Sequence, residues 1–226
     1  MRILFIRHGE PNYDLDCLTD EGKVQAGLLA ERLRNEKIDE MWTSHYGRSV
    51  ETAAPTSKVK GMPVGTLDFM HEIDWDSMDG KPLFADGNPW DIMDEMSRLG
   101  LDPADPNWKD LPYFKTNGVL NSVDYVEKNF DKWLEGYGYV RDGYYYNHLE
   151  EEKEHRAVAI FSHGGSSSVA MSHMLNLTFP HVCAFFHMSF TSISIIRLQK
   201  EKGRCTLPAL ELFNDAAHLK IDYKNY

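Results

Sequence analysis

The sequence predicts an α/β fold built on a mostly parallel sheet covered on both faces. Two observations carry it. First, the chain opens with an unbroken apolar run rich in β-formers, Ile3-Leu4-Phe5-Ile6, the pattern of a strand buried on both sides. Second, further short apolar runs alternate with helical patterns, which calls for strands joined by crossover helices. Length and composition agree. The 226 residues, 42% hydrophobic and 26% charged, suit one soluble domain with a full core.

The first strand stops at Arg7-His8-Gly9-Glu10. Pro11 to Cys17 reads as a loop. Thr19-Asp20-Glu21 is a helix start, with Thr19 as N-cap and acids in the first turn. Val24, Leu28, Leu29 and Leu33 give that helix an apolar face to about residue 35. Glu40 to Thr43 is a short strand, His45 to Ala54 a helix ended by Pro55, and Val64 to Phe69 a third strand. The stretch from about 74 to 118 differs. It carries Trp75, Trp90, Trp108, Tyr113 and Phe114 among many Pro, Gly and Asp residues. It reads as an inserted cap or lid within the single domain 1–226, with a helix over Trp90 to Leu99. Ser122 to Leu134 is an amphipathic helix capped by Ser122. Tyr137 to Tyr146 has no clear assignment. Ala157 to Phe161 is a strand that ends in Ser162-His163-Gly164-Gly165, and a helix follows to about Leu175. Thr191 to Leu198 and Cys205 to Phe213 alternate like strands. They would form an antiparallel edge, with Pro208 placing the last one outermost.

The formal charge of −11, from 35 acidic and 24 basic residues without a basic block, argues against nucleic acid or an anionic membrane as partner. Cys17, Cys183 and Cys205 are odd in number and show no C-x-x-C spacing. A reduced, cytoplasmic protein without structural zinc follows. Ten histidines do not supply a metal motif, because His71-Glu72 does not continue to H-E-x-x-H and His181 and His187 do not share a helix face. The expectation is no cofactor.

In a parallel sheet, groups just past the carboxyl ends of strands gather at one edge. Four such groups stand out: Arg7-His8, Arg48, Glu72 and His163. Together they make a phosphoryl-transfer set. Arg7 and Arg48 can fork onto the oxygens of a phosphate dianion. His163 adds a donor and, beside a dianion, tends to be protonated. Amides at Gly164-Gly165 open a helix and can add more donors. Neutral His8 can attack phosphorus, while Glu72 protonates the leaving alkoxide and then takes a proton from water. His71 reads as a structural neighbour, and His45 is a weaker candidate for touching the pocket.

Arg7-His8-Gly9-Glu10 followed by Leu18-Thr19-x-x-Gly22, Ser44-x-x-x-Arg48-x-x-x-Thr52-Ala53, Glu72 and Ser162-His163-Gly164-Gly165 resemble the histidine phosphatase superfamily, the phosphoglycerate mutase-like group with the R-H-G motif. The tail Asn214-Asp215-x-x-His218-Leu219 looks like the family's closing segment. The resemblance covers residues 1 to 72 and 157 to 219. It implies a three-layer α/β/α sandwich, a phosphohistidine at His8, a phosphate pocket of Arg7, Arg48 and His163, and Glu72 as proton donor.

Departures from the family pattern separate its activities. Mutases acting on phosphoglycerate carry Glu-Arg-x-Tyr-Gly where this chain has Glu72-Ile73-Asp74-Trp75-Asp76. They also carry adjacent arginines in the insert, whereas residues 77 to 135 here contain only Arg98. Asp14 replaces a usual Asn and would add negative charge beside the phosphate. The expectation is a metal-independent phosphomonoester hydrolase for a small phosphorylated metabolite. The alternatives are a phosphoglycerate mutase-type transferase and a non-catalytic phospholigand-binding protein.

Overall fold

The structure is a computed structural model and describes residues 1–75, 92–151, 154–203 and 205–219. Its elements in chain order are β1 (Arg2–Arg7), β2 (Pro11–Asn12), β3 (Cys17–Leu18), α1 (Asp20–Leu33), β4 (Glu40–Thr43), α2 (Gly47–Lys60) and β5 (Gly65–Thr66). Then come α3 (Ile92–Leu99), α4 (Pro112–Lys115), α5 (Val119–Glu135), β6 (Tyr139–Asp142), β7 (Tyr145–His148), β8 (Ala157–Ser162), α6 (Gly164–Leu175) and α7 (Phe179–Phe185). The chain closes with β9 (Ile193–Arg197), β10 (Cys205–Thr206) and β11 (Ala209–Asp215).

The main sheet has the order β11-β9-β1-β8-β4-β5. β1, β8, β4 and β5 run parallel. β9 is antiparallel to β1, and β11 is antiparallel to β9, so the closing pair supplies the antiparallel edge. Alternation along β1 divides the core. Ile3 and Phe5 point into a layer shared with α5, α6 and α7, through residues such as Val126, Phe130, Val169 and Phe179. Leu4 and Ile6 point into the opposite layer with Leu29 and Leu33 of α1 and Ala53 of α2. The three-layer sandwich is thus a direct result of a strand with apolar residues on both faces. Burying each of these large side chains contributes about 1.5–3 kcal/mol. From the 74–118 stretch, Met96, Trp108 and Phe114 join the first layer.

Several local expectations change. α1 buries Gly22, Gln25, Ala26, Leu29, Ala30 and Leu33, while Val24 and Leu28 are exposed. Gly22 presses against the backbone of Glu10, leaving no room for a Cβ, and that contact sets the helix's rotation. α2 does not stop at Pro55 but carries it inside. Burial of Ala53 and Thr56 on either side outweighs the lost backbone bond, and the helix ends at Gly61 in the left-handed region, φ 64°. The expected strand 64–69 shortens to β5 followed by a 3-10 turn, Asp68–Met70. α5 begins at Val119, whose N–H donates to Asn117 Oδ1 at 2.9 Å. Ser122 therefore lies inside the helix, and its Oγ accepts from the Asp74 N–H at 3.1 Å. The aromatic stretch after α5 is a hairpin, β6–β7, with Asp142 opposite Tyr145. Gly143 takes its first loop position at φ 60°, as a tight hairpin turn favours. The expected strand 205–213 breaks at Leu207-Pro208: β10 pairs with β7, while β11 joins the main sheet. Trp90 and Asp76 lie outside the described residues.

Thr19 does cap α1. Its Oγ1 accepts from the Gly22 N–H at 3.0 Å and donates to Glu10 Oε1 at 2.9 Å. Thr19→Ala is expected to cost about 1 kcal/mol of stability, read as a lower urea midpoint at unchanged m-value. An unchanged midpoint would show that the cap carries no weight.

Candidate active site

Adjacent strands bring the two histidines together. β1 and β8 are in parallel register with Arg7 opposite Ser162, so the next residues, His8 and His163, leave the sheet edge side by side. The His8 N–H donates to the Ser162 carbonyl at 2.9 Å, and the two rings lie 5.2 Å apart at 62°. Both are buried.

His8 Nδ1 faces the Gly9 carbonyl at 2.7 Å. A carbonyl can only accept, so Nδ1 carries the proton and Nε2 keeps its lone pair. Burial, and then the charges of Arg7 and Arg48, push the imidazole down to about 3. It is neutral at pH 7.

Arg7 donates from Nη1 to the Met188 carbonyl at 2.6 Å and stacks over Phe190 at 4.4 Å. Arg48, in the first turn of α2, donates from Nη1 to Asp16 Oδ1 at 2.5 Å. The other Asp16 oxygen accepts the Gly47 N–H at 2.7 Å, so one carboxylate caps the helix and aims the guanidinium. Tyr46 lies 4.7 Å under the Arg48 guanidinium and 5.2 Å from the His163 ring. After these contacts Arg7 Nε, Arg48 Nε and His163 Nδ1 are buried without a hydrogen-bond partner.

His163 Nε2 meets Ser44 Oγ at 2.7 Å, which leaves Nδ1 as its unused nitrogen. Burial first, then electrostatic interaction with His8, Arg48, His71 and Arg7, pulls this imidazole well below its ordinary value. The expected protonation of His163 concerns the group beside a bound dianion. A dianion would reverse the balance of charge.

Glu72 Oε1 accepts three amides: Ile73 at 3.1 Å, Gly165 at 3.0 Å and Ser166 at 3.3 Å. Burial raises its pKa and outweighs those amides and the two arginines, which favours a carboxyl that holds a proton. The Gly165 amide is thus turned to Glu72 rather than left for phosphate, and a Cβ at Gly165 would strike Oε1. Gly164 follows His163 directly as the first residue of α6.

The remaining candidates sort by position. His45 is exposed and faces Asp68 at 3.5 Å. Asp14 is exposed, and Asp16, two residues on, is the carboxylate that reaches Arg48. Glu10 belongs to the α1 cap. Sequence reasoning missed Ser44 as a partner of His163, Asp16, and the loop at Thr191. The Thr191 N–H reaches the carbonyls of Arg7 (3.1 Å) and His8 (3.3 Å). Thr191 holds φ 54°, an unfavourable state for a β-branched residue, and its Oγ1 is tied to His218 Nε2 at 2.9 Å. Asn214 Oδ1 in the same tail accepts the Ser189 N–H at 2.7 Å.

The model of the histidine phosphatase superfamily (branch 1) matches residues 3–210. The chain belongs to that superfamily. A Hydrogenobacter thermophilus protein provisionally called phosphoserine phosphatase 2 is 24% identical over 211 residues, 89% of this chain and 92% of that one. Among solved structures, an Entamoeba histolytica phosphoserine phosphatase mutant in complex with phosphoserine aligns at TM-score 0.61 and 19% identity, covering 96% of this chain and 98% of that one. A mycobacterial glucosyl-3-phosphoglycerate phosphatase with inorganic phosphate aligns at 0.64 and 19%, with coverages of 96% and 98%. The α-ribazole phosphatase of Shigella flexneri aligns at 0.61 and 17%, with coverages of 96% and 97%. These likenesses fix the histidine phosphatase fold. No helix among the described residues is long and apolar enough to cross a membrane.

Within the histidine phosphatase pocket, ligand atoms of His8, Glu72 and His163 lie within 4.8 Å of one another, so this trio is where a metal ion could be held. Arg7 and Arg48, whose charges bear on the same groups, oppose a cation there and favour an anion.

The neutral His8 links folding to pH. The unfolded chain takes up a proton near pH 6.5, but the folded one refuses it until about 3. Stability is therefore full above pH 6.5 and falls as pH drops through that window, by about 1.4 kcal/mol per pH unit for one such group. Urea unfolding at pH 7.5, 6 and 5 should show this slope added to that of the likewise lowered His163, and His8→Asn should remove about one group's share of it. Equal slopes in both proteins would place the linkage elsewhere.

Proposed function

We propose that this protein is a phosphomonoester hydrolase that needs no metal and works through a phosphohistidine at His8. The observation that carries the reading is the set of three buried, unpartnered nitrogens, Arg7 Nε, Arg48 Nε and His163 Nδ1, beside one imidazole with a free Nε2 lone pair. Buried donors without partners are costly, and a phosphate dianion would satisfy all three.

In the first half-reaction Nε2 of His8 attacks phosphorus and the ester P–O bond breaks. Glu72 passes its proton to the departing oxygen. The guanidiniums stabilise the charge on the equatorial oxygens, and His163 donates from Nδ1 once the dianion favours its protonated form. In the second half Glu72, now a carboxylate, takes a proton from water as the water attacks phosphorus. The P–N bond breaks and inorganic phosphate leaves. Gly164, at the start of α6, is read as a further phosphate contact.

We read the substrate as a small phosphorylated metabolite. The structural neighbours' names, which cite phosphoserine, α-ribazole and glucosyl-3-phosphoglycerate phosphatases, support hydrolysis over mutase-type transfer. The free Cys17 and Cys183 fit a cytoplasmic setting. The whole chain is read as one domain, with an inserted aromatic-rich cap or lid segment at about 74–118.

Rapid quench with a 32P-labelled phosphomonoester should trap an acid-labile, base-stable phosphoenzyme, with hydrolysis surviving excess EDTA. His8→Ala should lose the label, and a label that persists there would refute the nucleophile. Glu72→Gln should slow alkyl phosphates by roughly 100-fold or more and p-nitrophenyl phosphate far less, since that leaving group scarcely needs a proton. Equal slowing would remove Glu72 from the donor role.

A further inference from the structure

Outside the phosphate pocket, a file of rings runs from the catalytic imidazole to the surface. Tyr46 stands edge-on to His163 at 5.2 Å. His71 follows, 6.2 Å from Tyr46, and Tyr125 lies 5.8 Å beyond His71. Exposed His45 backs the file at 4.8 Å from Tyr46 and 5.8 Å from His71. The rings are held in place. Tyr46 is stacked under Arg48, and His71 Nδ1 is fixed on the Asp68 carbonyl at 2.6 Å. Tyr125 rides on α5, next to the turn where Ser122 accepts the Asp74 N–H. Tyr125 is 45% exposed, so the outer end of the file is a large ring surface open to solvent.

A carboxylate stands on the outer side of this file. Arg7 and Arg48 are the cations acting on His8 and Glu72, and both are buried at the phosphorus end. On the outer side, Asp74 is exposed, and its charge acts on Tyr46, opposed by that of Arg48. A carboxylate on the leaving group would meet Asp74 here. Trp75 packs against the core. Its ring packs on Phe179 at 5.7 Å, and its carbonyl accepts from Asn117 at 3.0 Å.

We propose that Tyr46, His71 and Tyr125 form the wall that receives the leaving group, and that the site selects phosphomonoesters whose alcohol bears a flat ring and no carboxylate. This rests on the phosphatase reading above. A flat ring gains offset or edge contacts along the wall, whereas a small carboxylated alcohol gains no such contact and faces Asp74.

Three esters with alkyl leaving groups test it, because they make similar demands on Glu72: 2-phenylethyl phosphate, glycerol 3-phosphate and phosphoserine. The expected order of kcat/KM is 2-phenylethyl phosphate above glycerol 3-phosphate by about tenfold or more, with phosphoserine lowest. Tyr125→Ala should cut the phenylethyl-to-glycerol preference about tenfold, through KM rather than kcat, and Tyr125→Phe should restore it. Asp74→Asn should raise phosphoserine relative to glycerol 3-phosphate by about threefold. A preference for phosphoserine, or a Tyr125→Ala variant that weakens all three esters by one factor, would overturn the wall. If no ester is hydrolysed, the phosphatase reading fails instead. Calorimetric binding of the same three compounds to the folded His8→Ala protein then decides the wall alone: tightest binding of the phenylethyl ester upholds it, and equal binding refutes it.

Discussion

The parallel pairing of β1 with β8 is the contact on which the site depends. With Arg7 opposite Ser162, the two strands end level, and the residues that follow have nowhere to go but side by side at the sheet's edge. A shift of one residue would turn every side chain of β1 to the other face. It would put Ile3 and Phe5 where Leu4 and Ile6 belong, so the two apolar layers lock the register that aligns His8 with His163. The same energy that folds the protein thus sets the chemistry, with no separate device needed for it.

A second tier of contacts aims what the strands deliver. Ser44 holds one nitrogen of His163, Asp16 holds one arm of Arg48, and the Gly9 carbonyl fixes the proton of His8. The C-terminal tail takes part from a distance. His218 pins Thr191 in a left-handed conformation, and Asn214 receives the Ser189 amide. Together they shape the loop whose Met188 carbonyl and Phe190 ring seat Arg7. Strain at Thr191 is therefore held by residues far along the chain, an arrangement common where a site must be preformed.

Much of this was legible in the sequence, because apolar periodicity and short polar motifs report local physics. The buried run of β1, the Thr19 cap and the residues at the strand ends could all be read directly. What escaped depends on partners distant in the chain. Nothing near Ser44 announces His163, and nothing near Asp16 announces Arg48. Pro55 reads as a helix end until the burial of Ala53 and Thr56 is known. The rotation of α1 away from Val24 and Leu28 follows from Gly22 meeting Glu10, a contact no helical wheel contains. The β6–β7 hairpin is the exception: Gly143 between two aromatic runs was a local signal, hidden by the unusual tyrosine content around it.

The bond between Asp16 and Arg48 bears on turnover. A cleft whose cations were all unspent would grip the released product as firmly as the incoming ester, and each cycle would stall on departure. By keeping a tethered anion on one arm of Arg48, the fold lowers the net positive charge that an anion entering the cleft would meet.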